Sequence, residues 1–190
     1  EMAGICGAQL QDIRGERGNA KHLPHCIGHE GVGVVIQTAW ESTKFVAGDR
    51  VLLHWRRGDG AEAMGAGYCA HNTIGTRVSG GPIHTFGTRV IVSENRATKI
   101  DTDVPAELAV LLGCPMSTAL ACIENDAKLR IGESFGISGM GGVGRSLLHA
   151  GTAIGALYEA QGSVDCLFDT TGNPEQIESC FARLNPGGRL

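Results

Sequence analysis

The segment that most constrains the fold is a glycine cluster at residues 139–144, whose spacing is G-x-G-x-x-G. Residues 133–138 come just before it and are predicted to form a β-strand. After it, apolar residues recur at the spacing of one helical face, at Val143, Leu147 and Leu148. A strand, a glycine turn and an amphipathic helix in this order predict a parallel α/β unit.

The glycines of this turn have separate predicted roles in holding a dinucleotide. Gly139 makes the tight turn, Gly141 leaves room for a pyrophosphate, and Gly144 allows close contact between helix and strand. The helix N-terminus adds unpaired N–H groups and a positive dipole, which attract phosphate. The predicted cofactor contacts in the turn are Gly139, Gly141, Gly142, Val143 and Gly144. A glycine-rich turn without any ligand is the alternative.

One expected part of a dinucleotide site is missing after this helix. An acidic residue about twenty positions beyond the first glycine normally ends a second strand and binds the ribose. Residues 150–163 contain no β-branched run that predicts such a strand, and Glu159 is expected to lie in a helix. We therefore predict that the chain skips a stretch near Ala156 and Leu157.

The first half of the chain has the pattern of a β domain. Between residues 28 and 99, short β-branched runs alternate with clusters of turn-forming residues. The predicted strands are residues 31–36, 50–53, 73–78 and 88–92, and residues 56–67 are predicted to form a long loop. The two tryptophans, Trp40 and Trp55, are expected to pack in or near this β core.

From residue 103 onward the pattern changes to alternating helices and strands. Pro105 and Glu107 mark the start of a helix that runs to about residue 125, with an interruption near Cys114. Residues 163–169 are a further predicted strand. We therefore predict an α/β protein with a β domain at residues 1–115 and a partial, doubly wound parallel domain at residues 116–190.

The last predicted helix has a clear N-terminal signal. Asn173 is placed to cap it and Pro174 occupies its first position, where a missing N–H has no cost. Its predicted buried face is Ile177, Phe181 and Leu184.

Composition excludes several classes of partner. The 190 residues have a formal net charge of −4 and only 5% aromatic residues, so we expect no nucleic acid partner. The seven cysteines are scattered without a C-x-x-C pair, which favours a reducing compartment, and we expect a cytoplasmic protein. The uncharged run at residues 108–123 is too short for a membrane span, so no membrane partner is expected.

Four side chains have the chemistry of zinc ligands. Cys6, His29 and Cys114 offer sulfur and nitrogen, and Glu30 offers an oxygen beside the histidine. Each has an ordinary structural alternative: a small buried thiol, a helix-packing thiol, or a histidine bonded to backbone. The wide separation of these four residues in the chain does not decide between zinc binding and the structural alternatives.

Several motifs together resemble the zinc-containing medium-chain alcohol dehydrogenases. The signature around Gly28, His29 and Glu30 continues with Gly33, Ala39 and Ser42 at the right intervals. The other matching segments, in the family's order, are residues 6–9, 48–51, 113–118, 139–144 and 169–172. The resemblance covers nearly the whole chain, which makes it far more specific than any one motif.

This resemblance implies a GroES-like catalytic domain followed by a Rossmann domain, with the active site in the cleft between them. It implies one catalytic zinc held by Cys6, His29 and Cys114, with Glu30 as a nearby or alternating ligand. It also implies catalysis by a nicotinamide cofactor, NAD or NADP, and a homo-oligomer, a dimer or tetramer. Family members are longer, so both ends and a middle segment are expected to be missing here. The remaining implied roles are Gln9 as the histidine's partner, Thr118 at the nicotinamide, and Thr170 and Thr171 beside the nucleotide.

Two departures from the family pattern bear on function. Only Cys69 lies between His54 and Gly81, where members with a structural zinc have four cysteines, so we expect no structural zinc. Ala8 occupies a position where many members carry a hydroxyl that relays the alcohol proton. A sugar or cyclitol is therefore favoured over a short alcohol as the substrate.

Three functions remain open at this stage. The first is zinc-dependent hydride transfer between a nicotinamide and a secondary alcohol or its ketone. The second is a zinc-free reductase of the same superfamily acting on an enone or quinone. The third is a dinucleotide-binding protein without catalysis.

Overall fold

The computed structural model describes residues 1–16, 18, 23–69 and 77–190. The chain divides into two compact units, Glu1–Cys114 and Pro115–Leu190. Strands and helices occur in both, and the expected α/β class is confirmed.

The first unit is built mainly from antiparallel strands. They are β1 (Met2–Ala3), β2 (Gly31–Val34), β3 (Arg50–Leu53), β4 (Ala66–Cys69), β5 (Arg77–Gly81) and β6 (Ala97–Lys99). The strands β1, β2, β3 and β6 form one sheet in that order, and β4 pairs with β5. The helices are α1 (Gly7–Arg14) and α2 (Ala106–Leu111), with a 3-10 turn at Glu94–Arg96 and a π-helical stretch at Leu112–Met116 that continues α2.

Strand β3 has a core on each face, because successive side chains of a strand point to opposite sides. Leu52 packs with Val32 of β2 and with Ala109 and Val110 of α2. On the other face, the buried cluster consists of Phe45, Val51, Leu53, Ile83 and Ala97. The sheet therefore holds α2 against β2 and β3, which matters for Cys114 just beyond that helix.

Three predictions for the first unit differ from the structure. Residues 88–92 form no strand; Val90 and Val92 pack against the core without a ladder partner. β4 lies partly inside the segment predicted as a loop, and α1 was not predicted. Of the predicted strand at residues 73–78, residues 73–76 lie outside the described part of the chain.

The second unit has a parallel sheet with helices packed against it. Its strands are β7 (Ser134–Ser138), β8 (Leu157–Tyr158), β9 (Val164–Asp169) and β10 (Leu184–Arg189), in the order β10-β9-β7-β8. Its helices are α3 (Ser117–Ala121), α4 (Gly142–Ala153) and α5 (Pro174–Phe181), with a π-helical stretch at Cys122–Ala127. The main buried core is Ala119, Ile123, Leu129, Phe135, Ile137, Leu147, Ala150, Ala156 and Cys166.

The predicted cap of α5 is confirmed, and its predicted buried face is partly wrong. Asn173 Oδ1 accepts hydrogen bonds from the N–H groups of Glu175 and Gln176 at 2.9 and 3.3 Å. Phe181 is 60% exposed, and Leu184 lies beyond the helix at the start of β10, while Cys180 is buried against Val164 and Leu167. The helix is thus rotated so that the smaller side chain faces the sheet.

A second strand follows α4, where the sequence analysis found none. β8 pairs in parallel with β7, matching Ser134 with Leu157 and Phe135 with Tyr158. Glu159 follows β8 directly and donates its backbone N–H to Phe135 O at 2.9 Å, so its predicted helical position is wrong. Two residues are too few to give a periodic signal, which is why the strand was missed.

The connection from β8 to β9 is unusually short. The two strands lie on opposite sides of β7 and run parallel to it, yet only residues 159–163 join them. Parallel strands normally require a crossover of about a dozen residues or more. The prediction that a longer segment belongs near Ala156 and Leu157 stays a prediction.

Gly136 makes room for this short connection. Arg183 donates its Nε and Nη2 hydrogen bonds to the backbone oxygens of Gly162 and Glu159 at 3.0 and 3.1 Å. A Cβ added to Gly136 would lie 3.1 Å from Arg183 Nη2 and 3.5 Å from Glu159 O. The connection therefore crosses β7 at the one strand position without a side chain.

One described helix has the length and composition of a membrane span. It is Ala106–Ala127, 22 residues with a mean hydropathy of 1.7 in its most apolar window, of which 33% is buried. It is longer than the uncharged run at residues 108–123. Core helices of globular domains share these values, and Ala109, Ala119 and Ile123 are buried in the two cores described above.

The close approach at Gly136 predicts the effect of a larger side chain. Gly136→Val should lower the free energy of unfolding by about 1–3 kcal/mol, because the added methyl groups displace Arg183 and the connection. Urea denaturation followed by circular dichroism measures this. Gly33→Val is the matched control, since an added Cβ at that strand glycine meets nothing within 4 Å. Equal stability of the Gly136 variant and the wild type would contradict the account of the crossing.

Candidate metal centre and dinucleotide turn

Four side chains of the first unit bring possible metal ligands to one point. The ligand atoms of Cys6, His29, Glu30 and Cys114 all lie within 4.8 Å of one another. Cys6 caps the N-terminus of α1, His29 and Glu30 precede β2, and Cys114 lies in the π-helical stretch after α2. This is the one such group of three or more found among the described residues.

The distances within this cluster fit a zinc ion. Zinc lies about 2.3 Å from sulfur and about 2.0 Å from nitrogen, so in a tetrahedral site two sulfurs are about 3.8 Å apart and sulfur and nitrogen about 3.6 Å. Here Cys6 Sγ and Cys114 Sγ are 4.0 Å apart, and His29 Nε2 lies 3.3 Å from Cys114 Sγ. The donor set therefore has both the chemistry and the spacing that zinc requires.

The buried amide of Gln9 joins two of these residues. Its Oε1 accepts the N–H of Cys6 at 2.8 Å, and the amide also bonds His29 Nδ1. Gln9 is only 3% exposed, so water does not compete for these bonds. When His29 Nε2 binds a metal, Nδ1 carries the proton and needs an acceptor, which the amide offers only by a 180° flip that gives up the bond to Cys6 N–H.

Hydrogen bonding and burial shift the pKa values of three side chains of this cluster. Hydrogen bonds from Cys114 and His29 lower the pKa of Cys6 to about 4. The bond to Cys6, together with burial, raises the pKa of Cys114, so the pair holds one thiolate and one thiol. Burial and then the charge of Cys6 raise the pKa of Glu30. A bound cation removes this conflict by stabilising the deprotonated forms.

Two neighbours of the cluster were missed by the sequence analysis. Trp55 lies edge-on to His29, with ring centroids 6.1 Å apart, and is 55% exposed. Trp40 is 90% exposed, and both tryptophans, predicted to pack in or near the β core, lie outside its buried clusters. Arg56 follows Trp55, and its charge acts on Cys114. A single aromatic residue at the start of a glycine-rich loop gives no periodic signal that could have placed it.

The second unit contains the glycine turn in the predicted position. Gly139 has φ +91°, a conformation that other residues rarely adopt, and a Cβ at Gly144 would collide with Gly139 O. Gly141 caps α4, and an added Cβ there would meet nothing within 4 Å. The space beside Gly141 is therefore open at the start of α4, where the first N–H groups of a helix have no partner within the helix, as a phosphate site requires.

The predicted threonines differ in what they contact. Thr170 Oγ1 donates to Gly139 O at 2.9 Å and to Ser138 O at 3.2 Å, so it fastens the turn to β9. Thr171 Oγ1 donates to Asp169 at 2.8 Å. Thr118 lies in α3 of the same unit. Contact of these three residues with a nucleotide stays a prediction.

Two further expectations are affected by the described structure. β8 ends level with Phe135, whereas β7 continues to Ser138 and the glycine turn, so Glu159 lies about 10 Å short of the turn. The choice between NAD and NADP therefore stays open.

The expected lack of a structural zinc also stays a prediction, because residues 70–76 beside Cys69 lie outside the described part.

Comparison with known proteins identifies relatives of this chain. Residues 1–102 match the family model described as the alcohol dehydrogenase GroES-like domain. Alcohol dehydrogenase B of Mycobacterium tuberculosis is 29% identical over 180 residues, covering 83% of this chain and 48% of that protein. S-(hydroxymethyl)glutathione dehydrogenase of Photobacterium damsela subsp. piscicida is 26% identical over 197 residues, covering 92% and 51%. The chain thus spans about half the length of these relatives.

A solved structure shows the same fold. The crystal structure of benzyl alcohol dehydrogenase from Acinetobacter calcoaceticus has a TM-score of 0.76 and 22% identity, covering 99% of this chain and 67% of that one. The family model alone matches more than half of the residues. The chain therefore belongs to the alcohol dehydrogenase family that carries the GroES-like domain.

Proposed function

We propose that this chain forms the zinc-binding and dinucleotide-binding parts of an oxidoreductase that transfers a hydride between a nicotinamide and a secondary alcohol or its ketone. The observation that carries the proposal is the convergence of Cys6, His29, Glu30 and Cys114 within 4.8 Å. A zinc ion bound there would act as a Lewis acid that lowers the pKa of the alcohol hydroxyl.

The protein residues of this centre have distinct roles. The thiolates of Cys6 and Cys114 and the ring of His29 supply three ligands, which in a catalytic zinc site leave the fourth position for water or substrate. Glu30 is buried at 3% exposure and its pKa is raised. It supplies a reserve oxygen ligand beside His29.

The second unit would bind the cofactor through its pyrophosphate. The open space at Gly141 and the N-terminus of the twelve-residue helix α4 support this assignment. The hydride chemistry belongs to the nicotinamide, and the protein sets its position and orientation.

The substrate that we propose is a polyhydroxylated compound, a sugar or cyclitol. Ala8 lies in the first turn of α1, two residues after Cys6, and has no hydroxyl to take the alcohol proton. The proton therefore leaves through water, the cofactor ribose or a second hydroxyl of the substrate. A polyol carries such a hydroxyl itself.

Substitution of single ligands tests the proposed zinc role. Cys6→Ser and His29→Ala should each lose bound zinc and turnover of polyols together, because each removes one of three ligands. Zinc content by mass spectrometry of the purified full-length protein, and formation of NADH or NADPH, measure the two losses. NADH binding should persist in both variants, since its residues lie in the second unit.

The control is Cys26→Ser, which changes a thiol outside the cluster. It should keep the zinc and the activity of the wild type. Full activity in a zinc-free Cys6→Ser protein would contradict the proposal and favour the zinc-free reductase. Tight NADH binding without turnover of any alcohol would favour the non-catalytic protein.

The Gln9 amide predicts a second, smaller effect on the metal. Gln9→Ala should weaken zinc binding about 10- to 100-fold, because His29 loses the partner that orients its ring. Competition with a chromogenic chelator measures this affinity. Gln9→Glu should keep or raise it, since a carboxylate accepts from both Cys6 N–H and His29 Nδ1. Unchanged affinity in Gln9→Ala would show that Gln9 does not position the histidine.

A further inference from the structure

The indole of Trp55 lies beside the metal centre with little packing of its own. Its ring is edge-on to that of His29, with centroids 6.1 Å apart. Trp55 is nevertheless 55% exposed and lies outside the buried clusters of the first unit. Such a side chain needs another contact to keep one position, because its χ1 torsion otherwise distributes over three staggered states.

Arg96 supplies that contact, both at the backbone and at the ring of Trp55. Arg96 Nη1 donates a hydrogen bond to the backbone oxygen of Trp55. The guanidinium carbon of Arg96 lies over the indole, 5.3 Å from the ring centroid. A guanidinium in this position is attracted by the electrons of the aromatic face. The arginine therefore holds the start of the loop and also the side chain that the loop carries.

The antiparallel sheet of the first unit places Arg96 at this point. Leu53, the last residue of β3, pairs with Ala97 at the start of β6. The N–H of His54 then donates to the oxygen of Arg96 at 3.0 Å, so the pairing continues one residue beyond each strand. Arg96 is thus level with the residue that precedes Trp55.

A carboxylate fixes the guanidinium of Arg96. Arg96 is only 6% exposed, and a charge buried to this extent needs an opposite charge beside it. Glu62 is that partner, with Oε1 2.6 Å from Arg96 Nη2. Glu62 Oε2 accepts from Asn95 Nδ2 at 3.1 Å and lies 2.5 Å from Arg57 Nε. Because the guanidinium is planar and has several N–H groups, it serves Glu62 and Trp55 at the same time.

His29 is the residue through which these contacts reach the metal centre. Its Nδ1 bonds the amide of Gln9, and its Nε2 lies 3.3 Å from Cys114 Sγ. The imidazole can leave this orientation only by turning about its side-chain torsions. The indole of Trp55 lies beside it at an interplanar angle of 61° and takes up part of the space for that turn. An indole that is held in place therefore favours the orientation in which Nε2 points to the other ligands.

We propose that Arg96 is a positioning residue of the metal centre: it clamps Trp55 against His29, and the clamped indole keeps the imidazole directed at the metal. The proposal rests on the proposed function for the presence of a metal at this centre, whereas the clamp on Trp55 does not require catalysis. It gives a buried ion pair at the edge of the sheet a role in metal affinity.

The clamp can be tested by energy transfer from Trp55 to bound cobalt in the full-length protein after removal of zinc. Trp40→Phe leaves Trp55 as the only tryptophan, because the chain has two. Cobalt(II) binds nitrogen and sulfur sites of this kind, and its thiolate absorption quenches indole emission with a steep dependence on distance. Arg96→Met should lower the quenched fraction about twofold, because a released indole distributes over three staggered χ1 states of which the clamped state is one.

Arg57→Gln in the same Trp40→Phe background is the matched control. The side chain of Arg57 also pairs with Glu62 but is 72% exposed, so its loss should leave the quenching unchanged. Glu62→Gln is the second variant, because it keeps the buried arginine and removes only the charge that fixes it. It should lower the quenched fraction too, and it carries the test if circular dichroism shows that Arg96→Met does not fold.

Two results would overturn the clamp. One is unchanged quenching in a folded Arg96 variant, or in the Glu62 variant where the Arg96 variant does not fold. The other is an equal loss of quenching in the Arg57 variant, because the effect would then belong to the whole loop.

The effect on the metal is measured by competition for cobalt with a chromogenic chelator. Arg96→Met should raise the cobalt Kd about tenfold, the lower end of the loss that follows removal of a partner of a metal ligand. Trp55→Leu should raise it to a similar extent, since it removes the indole and leaves the ion pair of Arg96 with Glu62. Lowered quenching with an unchanged Kd would show that the indole does not orient His29 and would overturn the role of Arg96 at the centre.

The two proposals fail in different ways. If cobalt binds and both readouts respond to Arg96→Met but no alcohol is oxidised, the proposed function fails and the positioning role stands. If alcohols are oxidised with zinc and neither the quenching nor the Kd changes, the positioning role alone fails. A protein that takes up no metal contradicts both.

Discussion

The first unit depends on how closely two cysteines, a histidine and a glutamate approach one another. Hydrogen bonds from Cys114 and His29 lower the pKa of Cys6, whereas the bond to Cys6 and burial raise that of Cys114, and burial and Cys6 raise that of Glu30. Groups of this kind repel one another when all are deprotonated, and protonation or a bound cation relieves that repulsion. A divalent cation would stabilise the deprotonated forms together, and the buried amide of Gln9 is placed to orient the histidine that would bind it.

The antiparallel sheet brings these ligands together from distant parts of the chain. β1 pairs with β2, so the turn after β1 places Cys6 beside the residues that precede β2. α2 packs on β2 and β3 through Ala109 and Val110, and the π-helical stretch after it presents Cys114. The packing of one helix on two strands therefore fixes the third ligand, and the loop after β3 adds Trp55 to the same region.

Sequence patterns predicted the elements that follow local rules better than the features that depend on contacts between distant residues. The glycine turn, β3 and the Asn173 cap depend on local rules and appear where they were expected. Helix α1 is short and polar, so it gives no apolar stripe; a cap at Cys6 and Gln9 defines it. Strand β8 was missed because it has only two residues. Residues 88–92 were predicted as a strand from their composition, but they form no strand in the structure. The position of Trp55 beside His29 depends on a contact between distant parts of the chain, which no local pattern encodes.

Zinc K-edge X-ray absorption of the full-length protein purified with its metal tests the central claim most directly. The account predicts one zinc per chain with two sulfur ligands at about 2.3 Å and nitrogen or oxygen ligands at about 2.0–2.1 Å. The Cys6→Ser protein, purified in the same way, should give no zinc edge. A spectrum with only light ligands, or a protein that retains no zinc, would contradict it.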